Sequence, residues 1–323
     1  MLSYYPEFLG VAGHIAAVPF GLAIMGILLH FLSISGYWYG WDRLPPRTHL
    51  AFGIGLNISS LLIPLEFRAV FAFLNIPQGL EFVEANGAVK PTLNVLAALA
   101  NPTLPPLYLK SIGGAIALGA TATAAALVVR ASYRDVPLNL YMELAKRFTS
   151  YALPATLFTA LMGAWYYLSL QAIPCKFNNI NGPLAWLLGL KIALALAQIA
   201  LLYIALKKLK SQEGYPRNEL LGATIAGMIV LLGGEYLNAF SQYPYFIAAA
   251  TDPKLVSAIP EPWRTTITRV VDLRNVNTLA LEPVIQGLTV TLLGGLLVAL
   301  VYFLYLILTP TKQTTAIEKT TNV

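Results

Sequence analysis

The apolar residues of the chain fall in long blocks that short polar segments separate. A block of about 20 apolar residues matches the ~30 Å hydrocarbon core of a bilayer when it forms a helix. Because lipid offers no hydrogen-bond partners, each block is expected to be a helix that satisfies its own backbone groups. The pattern predicts about seven spans: Phe8–Leu32, Leu50–Phe73, Ile112–Val129, Tyr151–Leu170, Leu184–Leu206, Leu220–Phe240 and Pro283–Leu308.

These spans predict an all-α fold, a polytopic transmembrane helical bundle that covers residues 1–309. The remaining residues, 310–323, form a polar tail with the composition of a disordered segment. The first span is not expected to be a cleavable signal peptide, because no basic residue precedes it and it is longer than the apolar core of a signal peptide.

The basic residues of the loops predict how the chain crosses the membrane. Cytoplasmic loops carry an excess of Lys and Arg, and here that excess falls in alternate loops. The N-terminus is therefore predicted outside, and the C-terminus with its tail in the cytoplasm. Two predicted outer loops, at about 74–110 and 241–282, are long and are expected to be functional or docked on a partner. The basic residues of the predicted inner loops are Arg43, Arg47, Arg130, Arg134, Lys146, Arg147, Lys207, Lys208, Lys210 and Arg217.

The composition excludes several classes of protein. With 57% hydrophobic and 11% charged residues and a mean hydropathy of +0.66, the chain has about half the charged fraction of a soluble domain. Its net charge of +6 arises from the loops that orient it, so it does not indicate a nucleic-acid partner. The single cysteine, Cys175, excludes a disulfide within the chain and a cysteine-based zinc or iron–sulfur site.

Ionisable residues inside spans are costly in lipid and are therefore the first functional candidates. His14 lies inside the first span toward its predicted outer end, whereas His30 and His49 lie near the predicted inner face. A buried neutral imidazole is a natural axial ligand for haem iron, which makes His14 a candidate haem ligand. The alternative is a packing histidine that hydrogen-bonds to a neighbouring helix.

Three further ionisable residues, Glu66, Lys191 and Glu235, are predicted in the outer half of the membrane. Lys110 borders the same face. A layer of mixed charge at this depth could line a cofactor or quinone pocket. The alternative is an ion pair between Lys191 and either Glu235 or Glu66 that holds helices together, with snorkelling of charges near the span ends.

Four segments in order along the chain resemble subunit I of the cytochrome bd quinol oxidases. Their order and spacing carry the resemblance, which is strongest between Gly40 and Val129, looser in the span that follows Pro183 and weak in the last hundred residues. The segments are GWDRLPPRTH from Gly40, GLNISSL from Gly55, PQGLEF followed by NG and LANP between Pro77 and Pro102, and YLKSIGGAIALGA from Tyr108.

The resemblance implies a complex that oxidises quinol, reduces dioxygen to water and holds two b-type haems and one d-type haem. The family subunit has nine helices, about two more than are predicted here. The segment HIAAVPFGLA, which starts at His14, resembles the family's first helix and implies that His14 ligates a b-type haem. In the competing register set by GWDRL, His30 stands where the family has a functional glutamate.

Departures from the family pattern change what the resemblance implies. Lys110 stands where the family has one low-spin haem ligand, a histidine, and Leu187 stands near the other, a methionine. The arginine expected just before that methionine is replaced at about Ala185, and the quinol-binding loop is shortened to Gln171–Gly182. The chain is therefore expected to lack both the low-spin haem and the usual quinol site.

Together these features predict a partner or scaffold subunit of a bd-type quinol oxidase. It would be a multi-pass protein of a prokaryotic cell membrane, paired with a complete catalytic subunit I or a related membrane subunit. Quinol, dioxygen and haem d would belong to the complex, and Glu66 and Glu235 are candidates for a proton path. The alternative function is a cofactor-free transporter or structural membrane protein, in which Lys191 and Glu235 would gate or bind a substrate. A haem absorption band in the purified protein distinguishes the two.

Overall fold

The computed structural model describes residues 6–85, 87–131, 137–248, 252–272 and 274, together with single positions between 287 and 305. Within these ranges side chains are described from residue 18 onward, with residues 20, 85 and 262 excepted. The predicted seventh span lies mostly outside the described residues, and the predicted tail lies wholly outside them.

Long helices contain the first six predicted spans, so the all-α transmembrane fold class is confirmed. Each helix is longer than its predicted span because polar turns extend it beyond the apolar block. Helix α4 begins at Leu104, well before Ile112. Pro105 and Pro106 lie in its first turn, where a residue without an N–H group costs no helical hydrogen bond. The long helices are α1 (Pro6–Tyr39), α2 (Pro46–Asn75), α4 (Leu104–Ala131), α5 (Leu138–Ser169), α7 (Ala185–Ser211) and α8 (Arg217–Phe240).

Within the described part of the chain, five helical segments are long and apolar enough to cross a membrane. Helix α5 contains the predicted fourth span but is not among them, because aromatic residues, Thr and Pro interrupt its aliphatic residues. The count of seven spans and the orientation therefore stay predictions. The five segments are Gly21–Tyr39, Pro46–Asn75, Leu104–Ala131, Ala185–Ser211 and Arg217–Phe240.

The chain divides into two compact units. The first comprises Met1–Gly113, Phe158–Gly189 and Gly233–Ala280, and the second comprises Gly114–Leu157, Leu190–Leu232 and Leu281–Val323. The second unit has a core rich in alanine, and small side chains of this kind let helices approach closely in lipid. Its buried residues include Ala124, Ala125, Ala145, Ala152, Leu202, Ala205, Leu220 and Ala223.

In the first unit, α1 and α2 form an antiparallel pair joined by the turn that carries the GWDRL segment. A Cβ atom at Gly40 would overlap the backbone oxygen of Gly36 and the side chain of Leu44, so only glycine fits there. The imidazole of His49 fixes the other side of this turn: its Nε2 lies 3.0 Å from the backbone oxygen of Tyr37, and its ring stacks on the Tyr37 ring at 4.3 Å.

We expect Gly40→Ala to destabilise the protein by about 1–3 kcal/mol, because the added methyl group has no space in the turn. The matched control is Gly21→Ala within α1, where an added Cβ has no atom within 4 Å. Thermal unfolding of the two variants in detergent measures the difference. Equal stability of both variants would contradict the close contact at Gly40.

The two long loops that were predicted to lie outside contain regular structure that was not predicted from the sequence. The first forms an antiparallel hairpin of β1 (Leu80–Ala85) and β2 (Ala88–Leu93), with Leu80 paired to Leu93, followed by the short helix α3 (Val95–Leu99). Gly87 has a φ of +72°, and the Asn-Gly sequence at 86–87 is a strong hairpin signal. The hairpin is therefore an addition to the predicted all-helical architecture.

The second of these loops contains α9 (Pro253–Ser257) and α10 (Glu261–Val271), and the two loops pack on each other. The indole Nε1 of Trp263 donates a hydrogen bond to the backbone oxygen of Val89, at 2.6 Å. Buried apolar residues of the second loop, among them Phe246 and Val270, pack with Phe82 of the hairpin. In this structure, each loop is thus covered in part by the other.

Candidate functional site

Lys176 is a fully buried lysine in the first unit. It lies in α6 (Pro174–Asn181), which follows a short 3-10 turn after α5 and leads into α7. Its Nζ donates to Oδ1 of Asn75 at 2.7 Å and to Oδ1 of Asn238 at 2.6 Å. Because Asn75 ends α2 and Asn238 lies near the end of α8, the side chain of Lys176 joins the loop helix α6 to two long helices.

Tyr166 of α5 closes this group of polar side chains. Its hydroxyl donates to Oδ1 of Asn238 at 2.6 Å and accepts from Nδ2 of Asn75 at 3.1 Å. Oδ1 of Asn238 thus accepts from two donors, the Tyr166 hydroxyl and Lys176. Buried polar groups need such partners, because each unpaired group costs about 1–3 kcal/mol.

A second pair of side chains determines the direction of these hydrogen bonds. Asn101 donates through Nδ2 to the backbone oxygens of Ala72 and Ile76, so its Oδ1 must accept, and it does so from the Thr103 hydroxyl at 2.8 Å. Because the Thr103 hydroxyl donates its proton to Asn101, its oxygen accepts a hydrogen bond from Nδ2 of Asn75, at 3.4 Å. The Oδ1 atom of Asn75 is then left for Lys176, which must be a donor.

Charged groups surround this network. The Nζ of Lys110 lies 5.0 Å from the centre of the Tyr166 ring, a cation–π contact. Arg68 pairs with Glu235 through two hydrogen bonds, of 2.8 and 3.3 Å. Burial, and secondarily the charge of Lys110, lower the pKa of Lys176 to about 7, while Glu235 acts weakly in the opposite direction.

The structure brings together two of the residues that the sequence analysis singled out, Lys110 and Glu235. The partner that it shows for Glu235 is Arg68, which the sequence analysis did not consider. Lys191, which was offered as a partner for Glu235 or Glu66, belongs to the second unit.

Glu66 of α2 is a separate feature of the first unit. Its Oε2 atom is buried and has no hydrogen-bond partner within the described part of the chain. The same atom would lie 3.6 Å from a Cβ at Gly26, so this carboxyl group packs against α1 where that helix has no side chain. A buried carboxyl oxygen without a partner is a costly arrangement, and such groups in membrane proteins often mark functional sites.

The histidines of α1 are described to different extents. His30 hydrogen-bonds through Nδ1 to the hydroxyl oxygen of Ser59 at 3.1 Å, and this contact joins α1 to α2. Because the Ser59 hydroxyl donates to the backbone oxygen of Leu56, its oxygen accepts from the Nδ1–H of His30. His14 belongs to α1, but its side chain lies outside the described residues.

Asn75, Tyr166, Lys176 and Asn238 were not predicted from the sequence to be functional residues. A signal was present for three of them, because Asn75, Tyr166 and Asn238 all stand near the predicted outer ends of outward-running spans. Lys176 carried no such signal, since a single lysine in a polar loop is most often solvated. In the structure, the metal-ligating residue types of the described chain form no group of three or more that could hold a metal ion.

Comparison with known proteins places these observations in context. A family model described as cytochrome bd terminal oxidase subunit I matches residues 1–181, more than half of the chain. No curated protein sequence matches significantly. The structure of the bd oxidase from Geobacillus thermodenitrificans is similar, with a TM-score of 0.73 at 15% identity over 94% of this chain and 80% of that one. At this identity the structural match shows a shared fold.

Proposed function

Because the chain belongs to the cytochrome bd terminal oxidase subunit I family, we propose that it is a partner subunit that scaffolds a complete catalytic subunit and lacks a low-spin haem of its own. It is a multi-pass membrane protein and a cytochrome bd oxidase subunit, so haem is expected in its complex. The proposed role as a scaffold without a low-spin haem rests on the side chains that stand at the family's haem-ligand positions.

The environment of Lys110 is the observation that carries the proposal. Lys110 stands where the resemblance puts a haem-ligating histidine, and its Nζ lies over the ring of Tyr166. An ammonium group has no lone pair for iron. Leu187, near the expected methionine, has no donor atom, and its Cδ1 would lie 3.9 Å from a Cβ at Gly233 of α8. The residues at these two positions therefore do not fit a low-spin haem.

The shortened loop between α5 and α7 supports the same proposal. Where the resemblance expects a long quinol-binding loop, this chain has the 3-10 turn Leu170–Ala172 and helix α6. Ile173 and Ile180 are buried there in an apolar cluster with Leu107 and Leu170, and Lys176 fills the polar centre. A loop packed in this way holds helices together, which suits a scaffold.

Isolation of the complex tests the proposed function. The tagged chain, extracted from its own membranes in a mild detergent, is expected to bring with it a complete bd-type subunit I, haem and quinol oxidase activity. Isolation of a colourless chain without such a subunit would reject the proposal and favour a cofactor-free transporter or structural protein.

We expect that Lys110→His will not create a low-spin b-type haem. The second ligand is also missing at Leu187, and iron ligands need supporting hydrogen bonds from neighbouring residues. The reduced-minus-oxidised spectrum of the purified complex measures this, with Lys254→His in the exposed part of the outer loop as the control. A new low-spin spectrum in the Lys110 variant alone would show that an intact haem pocket exists.

The role of His14 as a ligand for a high-spin haem b is a further part of the proposal, and it rests on the HIAAVP resemblance. His14→Ala is expected to remove one haem per folded complex, as measured by pyridine haemochrome assay, whereas His49→Ala should leave haem content unchanged. A packing histidine would instead cost about 1–3 kcal/mol of stability with haem content unchanged. Unchanged haem in the His14 variant would thus reject the ligand role.

Glu66 and Glu235 are proposed to contribute to a proton path of the complex. The buried Oε2 atom of Glu66 has no hydrogen-bond partner among the described residues, which supports this role, because an oxygen without a partner can take up a proton without breaking an existing hydrogen bond. Glu235 is the weaker candidate, since its carboxylate is held by Arg68.

A further inference from the structure

Helix α6 is held in the first unit by a buried amine and by contacts that carry no charge. The amine of Lys176 bonds to Asn75 and Asn238. The uncharged contacts include the buried side chains of Ile173 and Ile180 at the ends of the helix and the bond from Nδ2 of Asn179 to the backbone oxygen of Ser241, at 2.9 Å. The hydroxyl of Tyr167 also donates to Oδ1 of Asn181, at 2.6 Å. Lys176 is therefore the contact of α6 whose charge can change.

We propose that Lys176 is a reversible proton-binding site of this subunit, and that uptake of a proton there weakens the docking of α6 against α2 and α8. The ligand is the proton, and the site is the Nζ atom together with the two asparagine oxygens.

The geometry of the hydrogen bonds allows the proton to leave. Both bonds of Nζ run from lysine to an amide oxygen, so a neutral amine, with two N–H groups, can still make both of them, each weaker without the charge. The Thr103 and Tyr166 hydroxyls are already committed as donors to Asn101 and Asn238. Loss of one proton from Lys176 therefore leaves every hydrogen bond of the network in place.

The surrounding charges oppose a bound proton at this site. Burial and the charge of Lys110 lower the pKa of the Lys176 amine to about 7, while Glu235 acts in the opposite direction. Desolvation disfavours the charged form of a buried amine, and a neighbouring cation adds to the effect. The described charged or titratable groups around Lys176 and its hydrogen-bonded neighbours are Lys110 on α4, Tyr166 on α5, Cys175 on α6, Glu235 on α8 and Arg68 on α2, which pairs with Glu235.

The sign of the pH effect follows from linkage. An opened α6 exposes Lys176 to water, where its pKa returns toward 10.5, whereas the docked helix holds a pKa of about 7. Between these two values the opened state binds the proton and the docked state does not. The equilibrium between docked and opened helix should therefore shift toward docking as the pH rises from 7, by up to about tenfold per pH unit.

Hydrogen exchange of the full chain in its purified complex tests the proposal. Protection of the peptide that covers residues 171–184, corrected for intrinsic exchange rates, is expected to increase between pH 7 and 9 in the wild type. In Lys176→Gln, whose amide donates but does not titrate, this increase should disappear, while the exposed control Lys254→Gln should retain it. A pH-independent wild type, or the same pH dependence in Lys176→Gln, would overturn the proposal.

A spectroscopic measurement keeps the test decisive if Lys176→Gln fails to assemble. In wild-type complex labelled with ¹⁵N-lysine, one amine resonance is expected to titrate near neutral pH while the others stay ammonium-like up to pH 9. Lys176→Arg, which keeps a charge at this position, should lose that one resonance. If every lysine stays ammonium-like up to pH 9, Lys176 does not release a proton and the proposal is wrong.

Discussion

Lys176→Met is expected to make the protein more stable than the wild type at pH 7, and this advantage should shrink as the pH rises. The wild-type lysine has a pKa of about 7 when folded, against 10.5 ordinarily, so the unfolded chain holds more protons between those values. Wild-type stability should therefore rise with pH in this window, by up to about 1.4 kcal/mol per unit. Methionine has a similar length and does not titrate, so the variant should lack this slope.

The variant also pays for a lost donor, and this cost dominates at high pH. Oδ1 of Asn75 loses its hydrogen bond, which costs about 1–3 kcal/mol, whereas Oδ1 of Asn238 keeps the Tyr166 hydroxyl. The two stability profiles should therefore converge or cross as the pH approaches 10. Denaturant unfolding in detergent from pH 6 to 10 measures this, with Lys254→Met as the exposed control. Parallel profiles for wild type and Lys176→Met would show that the buried amine does not titrate.

Arg68→Leu is expected to destabilise the protein by about 2–3 kcal/mol, because it removes a cation that makes two hydrogen bonds to the carboxylate of Glu235. A fully buried charge that loses its partner costs roughly 3–5 kcal/mol. The expected loss of stability for Arg68→Leu is smaller than this, because the Glu235 side chain is 42% exposed and solvent screens its charge. The guanidinium also contacts the ring of Phe71, at 5.4 Å from its centre, so some packing is lost as well.

A double-mutant cycle separates the ion pair from the packing. The double variant, Arg68→Leu with Glu235→Leu, is expected to be more stable than the sum of the two single changes implies, by about 1–2 kcal/mol. The exposed pair Glu143 and Arg147 on α5 serves as the control, and its coupling should be close to zero. Additive effects at Arg68 and Glu235 would mean that the pair contributes nothing.

Residues of the candidate site could be predicted from the sequence only where a charged residue stands in or beside an apolar block. Lys110 and Glu235 were found because charges beside or within apolar blocks are rare. Lys176 was missed because its immediate neighbours are those of an ordinary loop, and its burial comes from α2, α5 and α8, which are distant in sequence. Arg68 was missed although it lies inside the predicted span Leu50–Phe73, because it stands near the predicted outer end of that span, where a basic residue is unremarkable.

The sequence by itself determined that the chain forms membrane helices, because lipid forces long apolar blocks into helices. It also determined the resemblance to the bd oxidase subunits, which the order and spacing of four segments carry. Only the tertiary structure decided which polar groups meet. The pairing of Glu235 with Arg68, the hairpin under α10 and the burial of Lys176 each join segments far apart in the chain. The spacing of residues along the chain does not predict such contacts, because they depend on how separate helices pack against each other.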